Sequence, residues 1–342
     1  MSKARKIFYG TLVALVAIAV LAGIFSVLRA AAKKQYSVPI LMYHEIGETT
    51  NSAWCVPVET FRSQMTSLRE QGFKTILPSD ITAHFRWGRP LPPKPVIITF
   101  DDGYLSNLKI VEPILKKNDL RAIAYLITGQ VAETAVDRRQ YEGKDCLVWP
   151  EVLAMQKRRI FAFGGHAHTH KNLAVDPNPL LQTTECRRQL VLHGIREPDS
   201  FCYPHGEYNQ ATIKAVKQAG FQTAVVCEDA VASIGPATNL FALPRVSVMG
   251  GSHEFKLASK RVEDKEKALI CRVFHAGIPL EISACLSGKD NDREIWLPKR
   301  AIGQEEFELR FILPDDLAGQ GKSSFIEIWD KHRLFKLATI QF

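Results

Sequence analysis

The sequence predicts an α/β protein: a parallel sheet covered by helices, followed by a small antiparallel β unit. Three observations predict it. From residue 38 to about 248, short apolar runs alternate with segments of helical period, as the crossovers of a parallel sheet require. Residues suited to chemistry stand directly after those runs, where the carboxyl edge of such a sheet gathers them. After about residue 252 the helical spacing gives way to apolar or alternating runs, which read as a small antiparallel domain of sandwich type.

Residues 1–35 read as a targeting segment. Lys3, Arg5 and Lys6 precede an uncharged stretch, residues 7–28, long enough for a bilayer, which takes about 20 residues. The length favours an uncleaved anchor, with the N-terminus in the cytoplasm and the following domain outside it in the cell envelope. Ala30-Ala31-Ala32 keeps a cleaved signal peptide, and hence secretion, open.

Residues 36–252 form the main domain. Val38-Pro39-Ile40-Leu41-Met42 reads as a strand, and Phe61, Met65 and Leu68 as a helix ended by Gly72. A strand over 74–77 and a helix near 79–87 follow. Pro90, Pro92, Pro93 and Pro95 form a stiff approach to a strand over 96–100. Next come a helix over 105–117, an apolar run over 122–127, a loop-rich insert over 129–148, a helix over 150–158 and a strand over 160–163. A helix over 179–194 and a strand over 200–203 precede a helix capped by Asn209 and stopped by Gly220. Strands over 222–227 and 241–246 close the unit.

Residues 253–342 form the accessory domain. Its charged start, residues 256–267, reads as a linker or exposed helix. Runs over 269–274, 278–285, 307–313, 325–329 and 334–340 read as strands; Phe307, Leu309 and Phe311 alternate with Glu308 and Arg310, the period of a half-buried strand. Trp296 or Trp329 suits a sugar-stacking platform, while the plainer reading puts both in the core of a bracing domain.

Two motifs carry chemistry. Thr99-Phe100-Asp101-Asp102-Gly103-Tyr104 closes the run Pro95-Val96-Ile97-Ile98. Adjacent carboxylates resist joint ionisation; a cation relieves the conflict, one Asp binding it while the other handles protons. A helix N-cap also uses Asp, so the pair alone does not decide. Gly164-Gly165-His166-Ala167-His168-Thr169-His170 follows a second apolar run, 160–163. Histidines four apart at a strand end, joined by a carboxylate, suit Zn²⁺ or a similar divalent metal with a position left open for water.

These residues carry a resemblance. The chain resembles the polysaccharide deacetylases, the NodB-homology carbohydrate esterases of family 4, and among them the exported poly-β-1,6-N-acetylglucosamine N-deacetylases. Residues 99–104 look like their first motif, 166–170 like their second and Phe201-Cys202-Tyr203-Pro204-His205-Gly206 like their third; Ile40-Leu41-Met42-Tyr43-His44 also matches. The resemblance implies an irregular (β/α) barrel of about seven parallel strands. It implies metal-dependent hydrolysis of N-acetyl groups from an N-acetylglucosamine polysaccharide, releasing acetate, with Zn²⁺ as the metal and Co²⁺ or Ni²⁺ also acceptable. Asp102, His166 and His170 would hold the metal and Asp101 would be the general base. The Leu-x-His motif usual in the family is absent between residues 228 and 252. In the branch this chain resembles, the equivalent strand looks moved to the N-terminal end, which would make His44 the general acid, with His205 a second candidate. The backbone N–H of Tyr203 would face the oxyanion, and Tyr104, Pro204, His205 and Arg245 would meet substrate. Arg245 is also a candidate to orient Asp101, since the third motif lacks the arginine of many members. His168 is extra and is expected to face away from the metal or into the cleft. Peptidoglycan and chitin-like oligomers are alternative substrates. A non-catalytic glycan-binding protein on a degenerate barrel is the alternative of another class; retention of both aspartates and both histidines favours the enzyme.

Composition fits this reading. Of 342 residues, 46% are hydrophobic and 23% charged, ordinary for a globular chain. The net charge of +8 favours anionic surfaces such as envelope polymers or lipid headgroups. No long basic run interleaved with aromatics calls for nucleic acid. Gly319-Gln320-Gly321-Lys322-Ser323 has Asp316 where a phosphate loop needs its first glycine, and reads as a surface turn. Seven cysteines cannot all pair within one chain, and no Cys-x-x-Cys spacing occurs.

Overall fold

The computed structural model describes residues 35–48 and 52–250, and eight strands between residues 255 and 341. Seven parallel strands close a barrel in chain order: β1 (Ile40–Tyr43), β2 (Pro95–Phe100), β3 (Ala122–Leu126), β4 (Phe161–Gly165), β5 (Ser200–Cys202), β6 (Thr223–Asp229) and β7 (Leu243–Ser247). Closure comes from β1, which pairs with β2 on one side (Ile40 opposite Ile97) and with β7 on the other (Val246 opposite Leu41). Six helices cover it: α1 (Val58–Glu70), α2 (Pro78–Trp87), α3 (Glu112–Lys117), α4 (Trp149–Arg158), α5 (Pro179–Leu192) and α6 (Gln210–Gln218).

The strands are apolar on both faces because both are covered. Along β2, Ile97 belongs to the apolar cluster shared with Ile40, Ile123, Val225 and Leu243, inside the barrel. Ile98 and Phe100 belong to the cluster that includes Phe61 and Met65 of α1, Leu115 of α3 and Val152 of α4. Each fully buried side chain of this size contributes about 1.5–3 kcal/mol. The same alternation gives Thr99 and then Asp101 the inward parity of Ile97. In β7 it gives Arg245 the parity of Leu243. The site chemistry inside the barrel follows from that parity.

Local signals set the helix ends. The Asn209 side chain accepts from Thr212 N–H, and Gly220 at φ +96° ends α6. α2 begins at Pro78, so the strand expected over 74–77 shrinks to Lys74–Thr75. The expected strand over 38–42 is interrupted at Pro39: Tyr36–Val38 pairs antiparallel with Ala232–Ile234, and β1 enters the barrel. The helix expected over 105–117 opens with a π-turn, Asn107–Val111, before α3. Pro113 lacks the N–H that an α-helical ladder needs there, and the Glu112 N–H reaches back five residues to Asn107.

The C-terminal strands form two four-stranded antiparallel sheets. One pairs Phe255–Glu263, Ala268–His275, Glu306–Ile312 and Lys299–Ala301; the other pairs Arg293–Ile295, Ile282–Ser287, Phe325–Asp330 and Lys336–Gln341. The linker or helix expected over 256–267 is corrected, because Phe255–Glu263 is a strand. A register shift between Leu257 and Ser259 breaks its alternation and hides the period. Barrel strand β7 ends at Ser247 and the first antiparallel strand starts at Phe255, on either side of residue 252. Trp296 lies outside the described residues, as do residues 1–34 of the expected anchor. Among the described residues no helix is long and apolar enough to cross a membrane.

Candidate active site

Four of the seven barrel strands deliver functional residues just beyond their carboxyl ends. His44 follows β1, Asp101 and Asp102 follow β2, His166 and His170 follow β4, and Tyr203 and His205 follow β5. They surround a cleft of about 230 Å³.

Asp102 leaves the strand parity at φ +68°, and Gly103 continues the turn at φ +79°. A Cβ on Gly103 would stand 2.7 Å from Leu126 Cδ2, so only glycine fits there. The turn carries Asp102 out of the barrel axis to the histidines. Ala167 and His170 also hold positive φ, +58° and +57°. Such strain in non-glycine residues gathers where the surrounding fold over-determines the backbone.

Asp102 Oδ1 lies 3.6 Å from Nε2 of His166 and 3.6 Å from Nε2 of His170. The two Nε2 atoms are 3.1 Å apart, a contact that one proton or one cation must bridge. His166 Nδ1 donates to the Cys202 carbonyl at 2.8 Å, which leaves its Nε2 lone pair facing Asp102. His170 Nδ1 is 2.7 Å from the Tyr141 hydroxyl. Asp102 Oδ1 is buried without a hydrogen-bond partner. Burial first, and then the Asp101 charge, push its carboxyl well above the usual range, against the hydrogen bond of the Tyr104 hydroxyl. Burial holds both imidazoles below their ordinary range. An orphaned carboxylate oxygen facing two neutral imidazoles is the donor set of a divalent metal site. A second group, Asp101 with His166 and Cys202, also lies within bonding reach of one ion among the described residues. Arg245 occupies both oxygens of Asp101 there.

Arg245 Nη1 donates to Asp101 Oδ1 and Nη2 to Oδ2, each at 2.8 Å. Burial alone would raise the Asp101 carboxyl; the guanidinium more than offsets it and holds the group well below the usual carboxylate range. His44 Nε2 stands 3.8 Å from Asp101 Oδ2, and its ring packs 4.4 Å from the Trp54 ring. Burial lowers His44 to about 4 against the pull of Asp101.

The structure corrects three expected contacts. Arg245 has no exposed surface, so it meets Asp101 and not substrate. Pro204 is buried and does not line the cleft. The Tyr203 N–H donates to the Val225 carbonyl at 3.3 Å, because Tyr203 prolongs the β5–β6 ladder, and is not turned to the cleft. Tyr104 and His205 do line the cleft. His168 faces away from the metal ligands, with Nδ1 3.1 Å from Thr128 Oγ1.

Tyr141, Glu142, Lys144 and Trp54 line the cleft without having been expected. Tyr141 lies on a hairpin, Gln140–Tyr141 against Lys144–Asp145, turned by Glu142 (φ +49°) and Gly143 (φ +74°). Two positive φ values in a two-residue loop make a tight hairpin turn. The turn residue Gly143 was visible in the sequence; that the hairpin lands on His170 was not.

Residues 88–224 match the polysaccharide deacetylase family. Over 279 residues the chain is 24% identical to poly-beta-1,6-N-acetyl-D-glucosamine N-deacetylase of Escherichia coli (strain K12); the match covers 71% of this chain and 41% of that protein. The enzyme of the same name from Staphylococcus aureus (strain MRSA252) is 23% identical over 211 residues, 59% of this chain and 70% of the relative. The Streptococcus pyogenes deacetylase PplD, solved in complex with acetate, superposes with a TM-score of 0.56 at 23% identity over 63% of this chain and 94% of that one. Barrel, motif residues and relatives agree with the polysaccharide deacetylase match over residues 88–224.

Proposed function

We propose that this protein is a metal-dependent N-deacetylase of an N-acetylglucosamine polysaccharide, with poly-β-1,6-N-acetylglucosamine the favoured substrate. The observation that carries the reading is the meeting of Asp102, His166 and His170 beside a second carboxylate, Asp101, that Arg245 keeps ionised. The names of the E. coli and S. aureus relatives support the choice of glycan.

Asp102, His166 and His170 would hold the divalent cation, zinc by preference, with cobalt or nickel also suited to these donors. Bound there, it would supply Lewis acidity toward the acetyl carbonyl and toward a water, whose pKa such ions lower to about 7. Asp101, ionised and 3.8 Å from His44, takes the proton of the attacking water. His44 is neutral near pH 7, so it serves as the acid once that proton reaches it across the short gap from Asp101. It then protonates the amine as the C–N bond breaks, and acetate leaves as the second product. Tyr104 steadies Asp102 through its hydroxyl. Tyr104 and His205 line the space left for the sugar. The proposal includes residues 1–35 as a membrane anchor, residues 36–252 as the catalytic domain in the cell envelope and residues 253–342 as an accessory domain.

Mass spectrometry of products from a panel of acetylated glycans, with added Zn²⁺, tests the reading. Mass losses of single acetyl groups from β-1,6-linked oligomers, absent with chelator and in Asp101→Asn, are expected. No acetate from any N-acetylglucosamine polymer would overturn it.

A further inference from the structure

The cleft opens at the carboxyl edge of the barrel, and the opposite edge carries features the proposed reaction does not use. α2 ends at Trp87, and residues 88–94 lead from it into the first residue of β2, so Trp87 stands at the amino edge. It is 61% exposed, with Phe85 exposed beside it. Arg86 and Arg89 are exposed as well, and the Arg89 guanidinium lies 5.4 Å from the Trp87 ring. Around the same edge, exposed cations precede one strand after another: Lys94 before β2, Arg121 before β3, Arg159 before β4 and Arg196 before β5. The acids there are Glu70, which pairs with Arg69, Asp119, Glu197 and the half-buried Asp199. The helix dipole favours a cation in a last turn, which accounts for Arg86. It does not account for Lys94 or Arg121, which lie in loops; Lys94 Nζ donates to the Gln71 carbonyl and Arg121 Nε to the Arg159 carbonyl, contacts that place the side chains without neutralising their charge.

The described chain enters at this same edge. Tyr36 packs edge-on against His84 of α2 at 5.3 Å, and Tyr36–Val38 runs into the amino end of β1. Only residues 29–34 separate Gln35 from the uncharged stretch 7–28, and three of those six are Arg29, Lys33 and Lys34. Six residues reach at most roughly 20 Å. With the stretch 7–28 in a bilayer, the amino edge therefore cannot stand far from the lipid surface.

We propose that the amino edge of the barrel, centred on Trp87 and Arg89, rests on an anionic lipid surface, so that the cleft faces away from the membrane. Tryptophan is favoured at headgroup depth, where its ring is apolar on one side and its N–H wet. The ring of cations complements anionic headgroups. The orientation presents Asp102 and the histidines to a polymer outside the membrane and keeps the lipid out of the cleft. It rests on the anchor proposed above and not on the catalytic reading.

The experiment uses the full chain in nanodiscs containing phosphatidylglycerol brominated near the headgroup, with tryptophan fluorescence as the readout. The chain has five tryptophans, at 54, 87, 149, 296 and 329, and none in residues 1–35. Bromine quenches only rings close to it. Part of the emission is expected to be quenched, with that part lost in Trp87→Phe and kept in Trp54→Phe. The double variant Arg86→Gln/Arg89→Gln, or neutral lipid alone, should lower the quenching several-fold. Trp87 is exposed, so circular dichroism of the variant should match the wild type. Co-elution with the discs reads the anchor separately. A chain that co-elutes but shows equal quenching with and without Trp87, or none, overturns the proposal for this face while leaving the anchor standing. A chain that does not co-elute overturns both, and a face that binds protein instead of lipid gives the unquenched result.

Discussion

Arg245 and Asp101 form a two-pronged ion pair with both nitrogen–oxygen distances at 2.8 Å, inside a barrel where Arg245 has no exposed surface and Asp101 only 1%. The guanidinium is fixed further by bonds to the Val226 carbonyl and the Thr99 hydroxyl, at 3.0 and 3.1 Å. The pair sets both the charge and the direction of the base. Its electrostatics also fix a pH dependence. The folded-state value of Asp101 lies below its unfolded value, so its contribution is present above about pH 4 and is lost as pH falls below that.

Removing one partner of a buried pair strands the other. Arg245→Met should destabilise the fold by about 3–5 kcal/mol and raise the Asp101 carboxyl until it is protonated and useless as a base. Acetate release should fall at least 100-fold. Urea unfolding of the double variant Asp101→Asn/Arg245→Met should show much of the stability restored with no activity, because the stranded charge has gone. Equal losses in single and double variants would show that the pair does not carry the effect.

The outline of the fold and the meeting of Asp102, His166 and His170 were legible because each rests on local pattern. Apolar runs marked the strands, and Asp102, His166 and His170 stood directly after two of them. Arg245 was legible as a candidate partner of Asp101; that it would be wholly buried and so kept from substrate depended on the parity of β7 against Leu243, which needs the closed barrel. Tyr203 was misread because the ladder of β5 runs one residue past its apolar segment and uses the N–H. Tyr141 was not legible at all, since the hairpin that carries it belongs to an insert whose landing place is set by tertiary packing. In the C-terminal part, the register shift near Leu257 removed the only periodic signal of Phe255–Glu263.

Asp102 gives a prediction on stability as well as activity. Without a cation its buried charge opposes Asp101, and the isosteric Asp102→Asn removes that opposition. The metal-free variant should melt at or above the temperature of the metal-free wild type. Zn²⁺ should raise the wild-type melting temperature, by the equivalent of about 4 kcal/mol at 1,000 times its dissociation constant, and leave Asp102→Asn unmoved. A variant still stabilised by zinc would remove Asp102 from the ligand set. Chelator should silence the wild type while leaving it folded; a chelated protein that unfolds outright would mark the metal as structural.

The Tyr141 hydroxyl at 2.7 Å from His170 Nδ1 holds that ring with its other nitrogen toward Asp102. Tyr141→Phe keeps the ring packing and loses only this bond. Partners of metal-bound histidines typically matter by 10–100-fold in affinity. Competition with a chelating dye should show zinc affinity reduced within that range, and activity at saturating zinc should recover most of its wild-type value. Unchanged affinity would reduce Tyr141 to a wall of the cleft.

His44 supplies the clearest pH signature. Its folded value of about 4 lies below the ordinary 6.5, and its side chain is 17% exposed. The unfolded chain therefore takes up a proton near pH 6.5 that the folded chain refuses until about pH 4. Stability from this residue is full above pH 6.5, declines as pH falls to about 4 and is constant below. The total loss is roughly 3 kcal/mol, with a slope approaching 1.4 kcal/mol per pH unit. Urea unfolding in chelator from pH 7 to pH 4 should show His44→Gln losing that much less stability than the wild type over the window. The same variant cannot carry a proton to the leaving amine, so its turnover should fall by about 10²–10⁴ with zinc bound. Parallel stability curves would mean that His44 is not buried in its neutral form. Retained turnover would pass the role of acid to His205, whose ring centre lies 4.8 Å from that of His170 on the cleft wall.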